Sequence, residues 1–100
     1  MARHITAGFA LPPQPDKQRM GWRTYCLADD WSLWWFEDPT NFRRISTNAL
    51  SDTIIAIWPM ANPLPPEIDI LYVGCADGTL WKTEGVTPAN WIKLGTIPQT

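Results

Sequence analysis

One hundred residues suffice for one hydrophobic core and not for two independent ones. Seven Trp and ten Pro against only 18% charged residues argue against a helical bundle and for a β protein punctuated by loops. The net charge of −2 lacks the basic surplus of a nucleic-acid binder, and no apolar run approaches the roughly 20 residues that span a bilayer.

In chain order, the first predicted strand is Ile5–Leu11. Its short apolar stretch is broken by Gly8 and stopped by Pro12, which does not fit a signal peptide, so the expectation is cytoplasmic synthesis. A Pro-rich segment, PPQPDKQRMG, follows and reads as an extended surface loop. Three further strands are expected at Trp22–Ala28, Ser32–Glu37 and Asn41–Ser46. Asp29 and Asp30 lie where the chain turns, and Arg43 and Arg44 read as a solvated strand face. A second series then begins: Thr53–Trp58, the Pro-rich PMANPLPPEI, Asp69–Ala76, Thr79–Glu84 and Asn90–Leu94. Cys26 and Cys75 sit inside apolar strand patterns, as buried free thiols do.

The two series are one repeat. At an offset of 47 residues Tyr25 matches Tyr72, Asp30 matches Asp77, Leu33-Trp34 matches Leu80-Trp81, and Glu37 matches Glu84. Extended backwards without a gap, the same offset pairs Thr6 with Thr53 and Pro12 with Pro59. Beyond Pro88 and Ala89 the offset becomes 49, placing Ile45 on Leu94. The units span 5–47 and 52–97, four strands each within a single domain. Asp77-Gly78 supplies the positive φ angles of a two-residue hairpin, whereas Asp30-Trp31 has no glycine and demands a different or strained turn. In DILYVGCA both alternating faces are apolar, so the strand needs cover on both sides. That pattern suits stacked small sheets better than one sandwich.

YVGCADGTLWKTEGVTPANWIKLG resembles a blade of the sialidase-type propeller repeat, the BNR or Asp-box repeat of sialidase- and sortilin-like proteins. The features that carry the resemblance are Tyr72-Val73-Gly74, Asp77-Gly78, Trp81-Lys82-Thr83, Gly85 and Trp91 through Leu94-Gly95. The Asp box departs from its pattern, with Glu84 where the family has Asp. The resemblance implies two four-stranded antiparallel β-propeller blades. Propellers close with about four to eight blades, so two imply completion by a head-to-tail homo-oligomer, with a trimer favoured. A single small β-barrel or sandwich is the alternative fold.

The resemblance to sialidases carries over no catalytic residue, because the five Arg match none of that family's motifs. His4 is the sole histidine, no Ser or Cys has a base partner, and no Cys/His spacing suits zinc. The expectation is a non-enzymatic protein without cofactor or metal. Candidate contact residues for a ligand or partner are Trp31, Trp34, Trp35, Arg23 and Glu37 in the first unit and Trp81 and Glu84 in the second. Trp34 and Trp81 recur and so suit inter-blade core; Trp31 and Trp35 do not recur and suit an external contact. Two functions follow: a structural or assembly ring, with a phage or virus particle (tail or head decoration) as its setting and other structural proteins as partners, or an oligomeric lectin binding glycan in Trp-lined pockets between blades.

Overall fold

The computed structural model describes residues 3–13, 22–38, 40–61, 69–86 and 89–99, with the side chains of 84–86 excepted. The fold is all-β. Eight strands, β1 (Ile5–Leu11), β2 (Arg23–Ala28), β3 (Leu33–Phe36), β4 (Arg43–Ile45), β5 (Ile54–Met60), β6 (Ile70–Cys75), β7 (Thr79–Val86) and β8 (Ala89–Thr96), follow one another along the chain. They form two four-stranded antiparallel sheets in the orders β1-β2-β3-β4 and β5-β6-β7-β8, the up-and-down arrangement of propeller blades. Both Pro-rich segments fall largely outside the described residues.

The register confirms the 47-residue offset in the hairpins and corrects it for the first strand. Cys26 pairs with Trp34 as Val73 pairs with Trp81. Ile5, however, pairs with Ala28 as Ile54 pairs with Cys75, and Gly8 pairs with Cys26 as Ile57 pairs with Val73. The first strands are therefore related by 49 residues, because the segment joining them to the second strand is two residues shorter in the second unit. The matches of Thr6 with Thr53 and Pro12 with Pro59 are displaced by two. Both first strands carry an irregularity at the same place, between Ile5 and Ala7 and between Ile54 and Ala56.

Side chains alternate across each sheet, so the ladders define two faces. On the front face of the first sheet lie Ile5, Gly8, Thr24, Cys26, Ala28 and Trp34, and on its back face Ala7, Arg23, Tyr25, Leu27, Leu33, Trp35 and Ile45. Repeat equivalence puts Ile54, Ile57, Leu71, Val73, Cys75 and Trp81 on the front of the second sheet and Trp58, Ile70, Tyr72, Gly74 and Leu80 on its back. Among the described residues one buried cluster joins Tyr25, Leu27, Leu33 and Ile45 to Ile54, Ile57, Leu71, Val73 and Cys75. The back of the first sheet thus packs on the front of the second. Each of these Ile, Leu and Val side chains contributes about 1.5–3 kcal/mol by leaving water.

A buried ion pair crosses this seam. Arg23 Nε donates to Asp69 Oδ2 at 2.6 Å, Tyr25 Oη donates to the same oxygen at 2.7 Å, and a second guanidinium nitrogen of Arg23 donates to the Pro12 carbonyl at 3.2 Å. The two charged side chains are 0% and 4% exposed. The Trp91 indole N–H donates across the seam to the Ser46 carbonyl at 2.7 Å.

Breaking one partner of such a pair strands the other charge in apolar surroundings. Asp69→Ala is therefore expected to lower stability by about 3–5 kcal/mol in urea unfolding, while Arg23→Met combined with Asp69→Leu costs far less. Equal losses in the two variants would show that the charge pairing is not what the seam requires.

Candidate functional site

Each hairpin tip carries the same hydrogen-bonded chain. In the first unit the Asp30 carboxylate accepts from the Ser32 backbone N–H at 3.2 Å and from its hydroxyl at 2.5 Å. The Trp34 indole N–H in turn donates to the Ser32 hydroxyl oxygen at 2.7 Å. In the second unit Asp77 accepts from the Thr79 N–H and hydroxyl at 3.1 and 2.5 Å, and Trp81 donates to the Thr79 oxygen at 2.9 Å. The spacing Asp-x-Ser/Thr-x-Trp produces this geometry, because residues two apart on a strand share a face. A residue just before the first strand completes each tip: Arg3 Nε donates to Asp30 at 2.8 Å, and the Ser51 hydroxyl donates to Asp77 at 2.6 Å. The segment before each first strand is thereby tied to the hairpin of its own sheet.

These bonds favour the ionised carboxylates. The Ser32 hydroxyl, followed by Arg3, holds Asp30 well below the usual carboxylate range, and Ser51 followed by Thr79 lowers Asp77. At the far end of the first unit the Thr40 backbone N–H and hydroxyl lower Asp38. Burial pushes both free thiols, Cys26 and Cys75, up.

The candidate residues occupy separate places. Trp34 lies half-buried on the open front face of the first sheet, with the guanidinium carbons of Arg3 and Arg44 at 5.0 and 5.6 Å from its ring centroid. Arg44 therefore caps an indole. Trp81, its repeat counterpart, packs against the buried cluster in the seam. Trp35 points to the opposite face from Trp34, stacks on Tyr25 with centroids 6.3 Å apart, and also packs against the cluster. Its failure to recur, which suggested an external contact, has another cause: its counterpart, Lys82, stands on the back of the second sheet, which the chain leaves open. Arg23 is consumed by Asp69. Glu37 is exposed and shares with Trp35, Asp38, Asn41 and Arg43 a cavity of about 110 Å³. The side chain of Glu84 lies outside the described residues.

Trp31 is 56% exposed and has φ = 65°, a left-handed conformation that Gly78 adopts at φ = 85° in the second hairpin. The missing glycine thus left a strained turn, as its sequence demands. Trp31 lines a polar cavity of about 330 Å³ with Asp30, Ser32, Arg44, Thr47, Ser51 and Asp52 among its neighbours. Trp31, Trp34 and Trp35 thus face three different surroundings and build no common sugar-stacking pocket. Among the described residues no group of three His, Cys, Asp or Glu is placed to hold a metal ion.

Two sheet faces are left open. On the front of the first sheet an apolar depression of about 350 Å³ is lined by Arg3, Ile5, Cys26, Ala28, Trp34 and Phe42. On the back of the second sheet Trp58, Met60, Leu80 and Ile92 are exposed. The Trp58 indole lies over Gly74, where a Cβ would come within 3.4 Å of it. Sequence reading did not single out Trp22, Ser32, Trp58, Asp69 or Thr79; Ser32 and Thr79 were findable, since they recur at the same offset as the Asp and Trp they join. No family model, curated protein or solved structure matches the chain.

Two outcomes follow for the tips. Trp31→Gly relieves the left-handed strain and is expected to raise stability by about 1 kcal/mol in thermal or urea unfolding; a loss would mean that the Trp31 side chain contributes more than its backbone costs. Asp30 and Asp77 have folded pKa values below the ordinary 3.8, so their stabilisation is complete above that pH and is lost as pH falls below it. An acid titration of Asp30→Asn with Asp77→Asn should accordingly show a weaker loss of stability below pH 4 than the parent chain.

Proposed function

We propose that this chain is a non-enzymatic, self-assembling β-propeller module of the Asp-box type, and that copies close head-to-tail into a ring that serves as a structural or assembly element. The observation that carries this reading is that each open face is the repeat equivalent of a face already buried inside the chain. Ile54 on the front of the second sheet is 2% exposed, and its counterpart Ile5 is 62% exposed. Leu33 on the back of the first sheet is fully buried, and its counterpart Leu80 is 38% exposed. A front face and a back face that fit each other within one chain are offered again, uncovered, at its two ends.

Such an interface is heterologous, and repeated application of it closes a ring when the rotation per copy allows. Three copies would supply six blades, within the range in which propellers close. Shape supports the same pairing. Gly8, Cys26 and Ala28 stand where the second sheet has Ile57, Val73 and Cys75, so the front of the first sheet is hollow. The back of the second sheet offers in return the indole of Trp58, which lies over Gly74 and is 49% exposed. The polar side chains favour a structural role as well: Asp30, Asp38, Asp69 and Asp77 are each engaged in internal hydrogen bonds.

Native mass spectrometry and light scattering of the purified chain test this reading. The expected result is a closed multiple of the monomer, a trimer for six blades. Ile5→Glu and Leu80→Glu each place a carboxylate in a face that assembly would bury, and each is expected to yield a folded monomer. A parent chain that remains monomeric at high concentration overturns the ring.

A further inference from the structure

The seam inside the chain is marked by a buried ion pair whose two positions are apolar on the open faces. Asp69, immediately before β6, projects from the front of the second sheet to Arg23 and Tyr25 on the back of the first. The repeat counterpart of Asp69 is Trp22, immediately before β2 and 56% exposed. The counterparts of Arg23 and Tyr25 are Ile70 and Tyr72, half-buried on the open back of the second sheet. Both members of the ion pair are thus replaced by apolar residues, and the tyrosine between them is kept. Replacing only one would have left a charge opposite hydrocarbon.

We infer that the seam between copies is an apolar version of the seam within the chain, in which Trp22 of one copy docks on Ile70 and Tyr72 of the next. This deepens the ring reading and rests on it. It assigns a partner to the exposed Trp22, which has no core role in a single chain.

A double-mutant cycle tests the pairing. Trp22→Asp and Ile70→Arg are each expected to raise the concentration at which the assembly half-dissociates by roughly a hundredfold, because each puts a charge in place of an apolar contact in the seam. The double variant rebuilds the Arg23–Asp69–Tyr25 arrangement between copies and is expected to return to within about tenfold of the parent. Near-ultraviolet circular dichroism of each variant at dissociating concentration reports whether the monomer is folded. Trp22→Ala, which introduces no charge, is expected to weaken assembly while leaving the monomer's unfolding midpoint unchanged. A multimeric parent whose single variants assemble equally well, or a double variant no better than the worse single, overturns the pairing and leaves the ring standing. A parent that is monomeric throughout overturns both.

Discussion

The architecture depends on one constraint: a four-stranded sheet with apolar side chains on both faces must be covered twice. A sheet of ordinary amphipathic strands hides one face and wets the other. Here β6 buries Leu71, Val73 and Cys75 on one side while Ile70 and Tyr72 line the other. Packing the two sheets against each other satisfies one face of each and leaves the front of the first and the back of the second. Because the sheets are repeats packed front to back, the uncovered faces differ from each other and resemble the covered ones. A sandwich related by a two-fold axis would instead bury like faces and leave like faces exposed. Directional stacking therefore leaves the two ends of the pair with complementary rather than identical faces.

Within that stack the Arg23–Asp69 pair is better understood as an alignment device than as a source of stability. Desolvating two charges consumes most of what their attraction returns, and apolar replacements of similar volume are often neutral or better. The pair's strong effect appears only when one member is missing or faces the wrong partner. Its place beside the Pro12 carbonyl and the Tyr25 hydroxyl adds directional hydrogen bonds to a contact that is otherwise hydrophobic and tolerant of sliding. The apolar cluster supplies the driving force, and the ion pair selects the register in which it is used.

Much of the fold was legible from residue order, because a repeat shows twice what a single unit shows once. The Tyr25/Tyr72 strands, the hairpin tips and the free buried thiols all follow from spacing and alternation. The register of the first strand was not legible. Thr6 and Thr53 coincide by chance at the hairpin offset, and a strand of small and apolar residues such as Ile5–Leu11 has no landmark to contradict a shift of two. The site was less legible still. A Trp that fails to recur looks like an external contact, yet Trp35 is unmatched because Lys82, its counterpart, stands on a face the chain leaves open. Pairing across a seam, as between Arg23 and Asp69, joins residues 46 apart that share no local pattern.

The hairpin tips show how the repeat tolerates divergence without losing its geometry. The Asp-x-Ser/Thr-x-Trp chain fixes the orientation of Trp34 and Trp81 from their own strands, before either indole meets anything across a seam. One indole then packs against a neighbouring sheet and the other lies beneath the guanidinium groups of Arg3 and Arg44. The same local wiring therefore presents one side chain to two environments, and the guanidinium groups partly cover the one left at the surface. Since the tip is wired through side chains, its middle residue is free to vary: Gly78 takes the left-handed conformation at little cost, and Trp31 takes it under strain. Divergence is thus allowed at the position between the hydrogen-bonding residues and resisted at the residues themselves. That division lets the two units keep one fold while their exposed surfaces drift apart.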